Sequence, residues 1–268
     1  MPTWISSKNN ENIKYVTKLF NSSKFRKEHN EFPIEGLRLC LDASKSNVKI
    51  KKTFYTEKFY NNFLKSLQDI LKLSEESFVV DEKIMKYMSD TLAPQGIICV
   101  CEFHNTTLDL KRDLNKILVL DNIQNPSNLG AMIRLCDALN FDGLIISKDS
   151  CDIYNPKAIR GSMGSIFRTK VLISHNLETD IIRLHKIGII TLAMVVERGS
   201  MDIREFTNLK RLALVIGNEG NGIRDSIIKA CKYKTFISIN KEVNSLNAST
   251  AAAIAMWEIS RKELDVYG

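Results

Sequence analysis

The chain has 268 residues, enough for one large domain or two ordinary ones, and 44% of them are hydrophobic. This composition supports packed cores and excludes an intrinsically disordered protein. The net charge of +7 favours an anionic partner such as nucleic acid, although a merely basic protein has the same charge. Basic residues crowd the amino-terminal segment, and they are Lys8, Lys14, Lys18, Lys24, Arg26 and Lys27.

No segment of the sequence is typical of export or of membrane insertion. Lys8, Asn9 and Asn10 stand where a signal peptide would need an apolar core, and no apolar stretch is long enough to cross a bilayer. Among the six cysteines only Cys99 and Cys101 are close, and their spacing is not that of a metal-binding pair. We therefore expect a cytoplasmic protein with buried free thiols and no metal site.

The first third of the chain reads as a small α/β unit. Apolar residues recur at helical spacing from Asn12 to Phe20, and the extended segment Phe32–Gly36 leads into a predicted helix, Leu37–Ser44. The elements predicted after it are a strand Val48–Tyr55, a helix Glu57–Leu73, a strand Phe78–Val80, a helix Asp81–Ser89 and a strand Gly96–Cys101.

A polar, charge-dense segment from His104 to Asn115 is typical of a linker. We place the boundary within it, so that residues 1–108 and 109–268 form two domains. Strands and helices then alternate, which predicts a parallel sheet covered by helices. The predicted strands are Ile117–Leu120, Gly143–Ser147, Val171–Ser174, Ile189–Met194, Leu212–Ile216 and Phe236–Ile239, and the predicted helices are Asn128–Leu139, Thr179–Lys186, Gly222–Ala230 and Ala248–Leu264.

The first strand of the second domain leads into a polar loop. Asn125–Asn128 ends this strand and can cap the next helix, on which Gly130 and Arg134 follow. From this position, the guanidinium of Arg134 could reach a ligand near the start of the helix, where phosphates also bind well. A capped helix with one surface arginine explains the same pattern.

A second loop, Gly217–Gly222, contains three glycines in six residues and follows an apolar strand, so its backbone is bent tightly or closely approached. It has neither the Lys-Ser/Thr pair of a Walker A loop nor the glycine spacing of a dinucleotide site. Glu219 would repel a phosphate, and its carboxylate suits a cationic or hydroxyl-bearing ligand. A plain strand-to-helix turn is the alternative.

A third polar segment, Ser245–Thr250, begins a helix that contains the small residues Ala251, Ala252, Ala253 and Ala255. Small side chains there permit close approach by another backbone or by a cofactor. Ser245 and Asn247 can either cap this helix or bind a substrate.

Together these segments resemble the three signature motifs of the SpoU (TrmH) family of SPOUT methyltransferases, which methylate the ribose 2′-hydroxyl of RNA with S-adenosylmethionine. The resemblance covers roughly residues 115–262. Motif one matches at Asn128, Gly130 and Arg134, motif two at Gly217–Gly222, and motif three at Ser245–Asn247. The segment Asn155–Phe167 is also similar to the family.

The resemblance implies an α/β catalytic domain whose parallel sheet carries a deep trefoil knot, which general folding rules would not predict. It also implies a smaller amino-terminal α/β domain that binds substrate RNA, with a weaker match at Phe32–Gly36 and Pro94–Ile97. The basic residues of the first segment, Arg26 among them, are then expected to contact RNA phosphates.

By the same resemblance, S-adenosylmethionine is the expected cofactor. The residues expected to bind it are Met194, Gly217, Asn218, Ile239 and Leu246. One departure is the loop Asn240–Asn244, because family members commonly have Pro and a longer loop with Gly there.

The catalytic residues implied by the resemblance are Arg134, Asn128, Glu219, Ser245 and Asn247. Arg134 could bind an RNA phosphate, or Arg134 and that phosphate could together accept the hydroxyl proton. An arginine side chain is a poor base by itself, because its ordinary pKa is above ~12. The other four would order Arg134 and its loops. The four histidines, His29, His104, His175 and His185, are expected to be ordinary core or surface residues.

The expected protein is thus a homodimeric, S-adenosylmethionine-dependent RNA ribose methyltransferase, acting on ribosomal rather than transfer RNA. The dimer interface is expected near Ala248 and Asn155–Phe167. The alternatives are a transfer RNA methyltransferase, a non-catalytic RNA-binding or ribosome-assembly protein, and an unrelated nucleotide-binding enzyme. Intact Arg134, Glu219 and Asn247 argue against a lapsed site. Missing phosphate-loop signatures argue against the last alternative.

Overall fold

The structure is a computed structural model that describes residues 2–103, 107–111, 114–240, 242–243 and 245–262. The chain forms two compact units. The first comprises Met1–Asn105 and Tyr154–Phe167, and the second comprises Thr106–Ile153 and Arg168–Gly268. None of the described helices is long and apolar enough to cross a bilayer.

The first unit contains a five-stranded mixed sheet. Its strands are β1 Thr3–Ile5, β2 Glu31–Glu35, β3 Ile50–Tyr55, β4 Ser74–Val80 and β5 Ile97–Glu102. Their order is β1-β4-β3-β5-β2, with β5 antiparallel to both of its neighbours. The helices up to residue 103 are α1 Glu11–Asn21, α2 Ser23–His29, α3 Leu37–Ser44, α4 Glu57–Leu71 and α5 Glu82–Met88. The predicted α/β unit is confirmed, with β1 and α2 added to it.

The basic segment that was expected to contact RNA contains one residue with a different role. Arg26 on α2 is buried and donates hydrogen bonds to the carbonyl oxygens of Leu19 (2.6 Å) and Phe20 (3.3 Å). Its guanidinium joins α2 to the end of α1. The expectation that Arg26 contacts phosphate is wrong, because a buried charge with internal partners is not accessible to RNA.

The second unit contains a parallel sheet, as predicted, but with seven strands, since the short strand Met201–Asp202 joins the six predicted ones. Its strands are β6 Lys116–Leu120, β7 Gly143–Ser147, β8 Val171–Ser174, β9 Ile190–Met194, β10 Met201–Asp202, β11 Leu212–Ile216 and β12 Tyr233–Phe236. Their order is β10-β12-β9-β11-β6-β7-β8. Every residue of β6, β7 and β11 is buried, which is typical of central parallel strands covered on both faces. The resemblance further implies a knot in this domain, which stays a prediction.

The helices of the remaining chain are α6 Pro126–Ala138, α7 Pro156–Ser162, α8 Leu177–Lys186, α9 Asp225–Ala230 and α10 Ala248–Ser260, with short 3-10 helices at Ser165–Phe167 and Ile203–Phe206. Helix α7 lies in the first unit. There the ring of Tyr154 stacks against those of Phe32 (4.4 Å) and Phe103 (4.2 Å), and Arg160 pairs with Asp90 (2.7 Å). The family-like segment Asn155–Phe167 is thus anchored in the first unit.

The segment predicted as a linker contributes to the core of the second unit. Leu108 and Leu114 are buried in that core, so the expectation of a free linker is wrong for these residues. Three leucines in a polar background, Leu108, Leu110 and Leu114, leave no clear periodic signal in the sequence. Residues 104–106 and 112–113 of this segment, with His104, lie outside the described residues.

Several predicted elements have different bounds in the structure. The strand predicted at Phe236–Ile239 is Tyr233–Phe236, and the helix predicted from Gly222 begins at Asp225. The helix predicted to end at Leu264 ends at Ser260, and Leu264 lies outside the described residues.

The six cysteines are free; four are buried, and Cys151 and Cys231 are half-buried.

Candidate active site

A cavity of ≈ 280 Å³ lies at the carboxyl ends of β9, β11 and β12. These parallel strands end at the same edge of the sheet, where α/β proteins place ligand sites. This volume is close to the lower limit for clefts that bind small molecules, which is about 300 Å³. We call it the β11 cavity, and its lining residues are Met194, Val195, Val196, Ile216, Gly217, Asn218, Glu219, Gly220, Gly222, Phe236, Ile237, Ile239, Ser245, Leu246, Ala248 and Ala251.

The structure brings all five expected cofactor residues to this cavity: Met194, Gly217, Asn218, Ile239 and Leu246. Glu219 and Ser245 from the expected catalytic set also line it. The sequence analysis did not single out the apolar wall formed by Val195, Phe236 and Ile237. A usable signal was their position directly at or after the ends of β9 and β12.

The apolar run after β12 explains the misplaced strand. Ile237 and Ile239 line the cavity instead of pairing in the sheet, where β12 ends at Phe236. Apolar residues on a cavity wall have the same alternation as strand residues, so the pattern could not separate the two. Lys241 and Asn244 of the following loop lie outside the described residues.

The glycine-rich loop folds back on itself. Asn218 and Gly222 exchange two backbone hydrogen bonds of 2.9 Å, and Gly222 has a left-handed φ of +69°. A Cβ at Gly217 would lie 2.2 Å from the carbonyl carbon of Gly222. Gly217 is therefore required by the loop's own close backbone approach. By contrast, a Cβ at Gly220 would meet only Asn218 Oδ1, at an ordinary 3.5 Å.

The side chain of Asn218 holds this loop and joins it to the loop after β6. Its Oδ1 accepts hydrogen bonds from the backbone N–H groups of Gly220 (2.8 Å) and Asn221 (2.9 Å). Its Nδ2 donates to the carbonyl oxygen of Asn122 (2.8 Å). Since the amide is satisfied within the protein, Asn218 shapes the cavity wall.

Three of the expected catalytic residues form one hydrogen-bonded chain. Asn247 Nδ2 donates to Asn128 Oδ1 (3.2 Å), and Asn128 Nδ2 donates to Glu219 Oε1 (2.9 Å). The backbone N–H groups of Gln124 and Asn125 also donate to the Glu219 carboxylate, each at 3.3 Å. The three polar segments found in the sequence are thereby joined at one place.

These contacts determine the ionisation of Glu219. Partial burial acts to raise the pKa of its carboxyl, but the hydrogen bonds from Asn128 and the backbone N–H groups outweigh burial and hold the pKa below its usual value. The carboxylate is therefore charged at neutral pH. A fixed negative charge at the cavity suits a ligand that carries a positive charge.

Arg134 and Ser245 have no such partners. Arg134 is exposed on α6, is not among the cavity-lining residues, and has no hydrogen bond or ion pair with any residue that the structure describes. Ser245 is exposed at the cavity, and its hydroxyl likewise has no protein partner within the described ranges. Both side chains are accessible to a bound molecule.

The sequence analysis missed an ion pair beside these loops. The fully buried carboxylate of Asp121, directly after β6, accepts hydrogen bonds from the backbone N–H (2.9 Å) and Nε (2.9 Å) of Arg224. This contact joins the end of β6 to the start of α9, and the hydrogen bond to Asp121 raises the pKa of Arg224. An aspartate directly after an apolar strand was the available signal.

The small residues of helix α10 were expected to allow close approach either by another backbone or by a cofactor, and the structure is consistent with both. Asn247 Oδ1 caps the helix by accepting from the N–H groups of Ser249 (2.9 Å) and Thr250 (3.3 Å). The helix packs against α6, with Ala252 and Ala255 fully buried. Ala251 lines the cavity. The start of α10 therefore serves close packing and the cavity wall together.

The β11 cavity suits a ligand with a flat apolar part and a cationic part. Its walls at Met194, Phe236 and Leu246 are apolar, and its rim carries the Glu219 carboxylate and the bent backbone of the glycine loop. S-adenosylmethionine has an adenine ring and a sulfonium, so the residues present fit this cofactor.

Comparison with known proteins agrees with this geometry. Residues 115–257 match the SpoU rRNA methylase family, and residues 10–99 match the MRM3-like substrate binding domain. The 23S rRNA (guanosine(2553)-2′-O)-methyltransferase RlmP of Bacillus subtilis (strain 168) is 28% identical over 255 residues, which cover 95% of this chain and 98% of the relative. A Staphylococcus aureus (strain MSSA476) protein, named for the TrmH family of tRNA/rRNA methyltransferases, is 31% identical over 211 residues, 75% of this chain and 85% of the relative.

The fold has close counterparts among solved structures. The AdoMet-bound rRNA methyltransferase from Sinorhizobium meliloti superposes with a TM-score of 0.87 at 25% identity, covering 98% of this chain and 99% of that one. The likeness spans both compact units, and the motifs and the cavity lie in the segment that matches the family. The chain belongs to the SpoU rRNA methylase family and is an S-adenosylmethionine-dependent RNA 2′-O-methyltransferase.

Proposed function

We propose that the chain methylates a ribose 2′-hydroxyl of ribosomal RNA with a cofactor held in the β11 cavity. The observation that carries this proposal is the hydrogen-bonded chain from Asn247 through Asn128 to Glu219. It joins all three motif segments beside one cavity. Simple helix capping or an isolated turn would not require these side chains to meet.

The reaction is an in-line transfer. The ribose O2′ would form a bond to the methyl carbon as the carbon–sulfur bond breaks, and the hydroxyl proton would pass to the neighbouring RNA phosphate. When bound, the cofactor supplies a methyl group that the sulfonium has already activated. The protein's task is therefore mainly to position the hydroxyl and exclude other geometries.

Arg134 is the residue that we assign to the RNA. Its exposed guanidinium has no partner within the described part of the chain, and a planar cation with several donors is well suited to a phosphate. Because a guanidinium keeps its proton in proteins, it is a poor base by itself. We assign it to the phosphate beside the target ribose, and that phosphate can also accept the hydroxyl proton.

The other expected catalytic residues act mainly on geometry. Asn128, Glu219 and Asn247 keep the loops in register through their mutual hydrogen bonds. We assign Ser245 to contact with the bound molecules, since its hydroxyl lies exposed at the cavity. Gly217, Asn218, Met194, Ile239 and Leu246 form the proposed cofactor wall.

The names of two relatives support ribosomal RNA as the substrate. One is named for 23S rRNA, and the other for tRNA and rRNA together. A ribosomal RNA substrate agrees with the cytoplasmic location expected from the sequence.

We propose that residues 1–108 form the RNA-binding domain and residues 109–268 the methyltransferase domain. Because Tyr154–Phe167 packs in the first unit, experiments should use the full chain.

The test is titration of the full chain with S-adenosylmethionine, followed by transfer of a labelled methyl group to RNA from a strain that lacks the protein. We expect one binding site per chain and labelled ribosomal RNA. The label should be recovered in fragments that resist alkaline hydrolysis, because a 2′-O-methyl group blocks cleavage of the adjacent phosphodiester bond. Label found only in transfer RNA would identify transfer RNA as the substrate in place of ribosomal RNA. Absence of cofactor binding would contradict the methyltransferase function.

We also propose a homodimer that forms through α10. Ile254 and Trp257 are 41% and 51% exposed, and they lie three residues apart on the same face of this helix. An exposed apolar face rarely stays in water, and a second copy can cover it through a two-fold interface.

Light scattering should report about twice the chain mass of 30.5 kDa. Trp257→Glu should give a monomer, because a carboxylate in an apolar interface loses its solvation. Ile182→Glu is the matched control, since Ile182 on α8 is 49% exposed but lies outside the proposed interface. A monomeric wild type would contradict the dimer.

A further inference from the structure

The first unit contains a cavity of ≈ 680 Å³, larger than the β11 cavity. It lies between α3 and α4, and we call it the α3–α4 groove. The residues that matter here are the cations Arg38, Lys45 and Lys58, the rings of Phe59 and Phe63, and the amide of Asn62. Its volume is sufficient for one nucleotide, since small-molecule clefts span about 300–1,000 Å³.

The groove has a rigid aromatic surface. Phe59 is 1% exposed and anchored in the core, whereas Phe63 is 41% exposed. Their ring centroids are 5.0 Å apart, so the exposed ring is supported by the buried one. Helix α4 is interrupted at Phe63, where φ is −134° and ψ is 36°. A supported, half-exposed ring can stack on a planar ligand without first being ordered.

The cations of the groove are unpaired. Arg38, Lys45 and Lys58 are exposed and have no hydrogen bond or ion pair with any described residue. Other lysines of this unit are neutralised, for example Lys51 by Glu75 (2.9 Å) and Lys52 by Glu76 (2.8 Å). Three unpaired cations around a concave surface create a potential that attracts an anion.

The groove also carries two acidic side chains, Asp42 and Glu82. A groove of purely positive charge would suit any polyanion. Carboxylates in the same groove as an exposed ring can additionally accept hydrogen bonds from the amino groups of a nucleobase. The combination therefore favours a ligand that has a flat base and flanking phosphates.

We propose that the α3–α4 groove binds an unpaired nucleobase of the substrate RNA, stacked on Phe63, with the neighbouring phosphates on Arg38 and Lys58. This inference rests on the proposed RNA methyltransferase function and names the surface of the first unit that recognises the substrate. An unpaired base is required, because bases inside a duplex already stack on their neighbours and are recognised mainly by shape.

The basic residues of α1 and α2 form a competing surface with weaker support. Arg26 is buried, Lys24 pairs with Glu28 (3.8 Å), and Lys18 lies over the ring of Phe25 (5.6 Å). Part of that charge is thus already engaged within the protein. The experiment must separate this surface from the groove.

The probe is a short transcript of the 23S rRNA segment around guanosine 2553, the nucleotide in the name of the Bacillus subtilis relative. Binding to the full-length chain is measured for the single strand and for the same strand annealed to its complement. Phe63→Leu should weaken binding of the single strand roughly tenfold by removing the stacking ring, with little effect on the duplex. Trp4→Leu is the matched control, an exposed aromatic residue outside the groove.

A second measurement does not depend on a variant. The same transcript with 4-thiouridine in place of uridine is cross-linked to the wild-type chain, and the modified peptides are identified by mass spectrometry. We expect cross-links within α3 and α4. Unchanged affinity of Phe63→Leu, cross-links confined to α1 and α2, or no binding of the single strand would each overturn the groove assignment. Titration with S-adenosylmethionine on the same samples tests the proposed function separately.

Discussion

The β11 cavity and the α3–α4 groove differ in whether their polar side chains have partners within the protein. Around the cavity, Asn128, Asn218 and Glu219 are bound to other protein groups, so the loops are fixed before any ligand arrives. In the groove, Arg38 and Lys58 have no partner among the described residues. Fixed dipoles suit a small molecule that must be held in one geometry, because no reorganisation is needed at reaction. Unpaired cations suit a polyanion.

The largest effect is expected at Arg134, an unpaired cation of the second unit. If unpaired cations bind the RNA, Arg134→Ala should slow methyl transfer by about 10²-fold or more and leave cofactor affinity unchanged. Arg134→Lys should also be slow, because a point charge cannot replace a planar bidentate donor. Single-turnover transfer to ribosomal RNA measures both variants.

The control for Arg134 is Arg183→Ala, an exposed arginine on α8 that already pairs with Asp180 (2.9 Å). It should transfer methyl groups at the wild-type rate. A normal rate for Arg134→Ala would remove this residue from the mechanism and restore its interpretation as an ordinary surface arginine.

The next largest effect tests the cavity. Ala251→Trp should weaken S-adenosylmethionine binding about 100-fold, because the indole would occupy space in the cavity that Ala251 lines. Ala251 is a better position than Gly217, where any side chain would disrupt the loop itself. Calorimetric titration measures the affinity. Ala138→Trp, at an exposed position on α6, should bind normally, and equal affinities for the two variants would show that the cofactor binds elsewhere.

A smaller effect is expected where a basic residue is already paired. Arg26→Met should lower the free energy of unfolding by about 2 kcal/mol, because the carbonyl oxygens of Leu19 and Phe20 lose a buried donor. RNA affinity should stay unchanged under conditions where the variant is folded. Denaturant unfolding and filter binding measure the two quantities. Lys27→Met, an exposed neighbour, should leave stability unchanged, and a stable Arg26→Met that binds RNA weakly would reverse the assignment.

The smallest effect concerns the pH dependence of stability. Hydrogen bonds hold the pKa of Glu219 below its ordinary value, so its charged form stabilises the folded state. Relative to Glu219→Gln, the wild type should gain less than about 1 kcal/mol at neutral pH, since the carboxylate is largely exposed. That advantage should be lost as the pH falls through the lowered pKa. Asn128→Ala should raise the pKa of Glu219, and an advantage that persists in acid would contradict this account.

Much of the second unit follows from its sequence. Apart from Lys116 at the start of β6 and Ser147 at the end of β7, strands β6, β7 and β11 contain no polar side chains, because parallel strands covered on both faces bury every residue. The polar residues directly after such strands indicated a site at the sheet edge. The predicted cofactor residues all line one cavity there, although their roles in binding stay predictions.

Features without a local pattern could not be predicted in this way. Arg26 resembles its lysine neighbours in sequence, and only the packing of α1 against α2 buries it. Leu108 and Leu114 are too sparse to reveal a core segment. Tyr154–Phe167 follows β7 in the chain, yet its aromatic and ionic partners belong to the first unit.

The sequence by itself determined the class of fold, the three motif segments and the family, because apolar periodicity and short motifs are local properties of a chain. Only the tertiary structure decided which motif side chains meet. Asn128 and Asn247 are separated by 119 residues, and their hydrogen bond forms because α10 packs against α6 beside the β11 cavity. Contacts between such distant residues depend on the packing of whole elements, which no local pattern records.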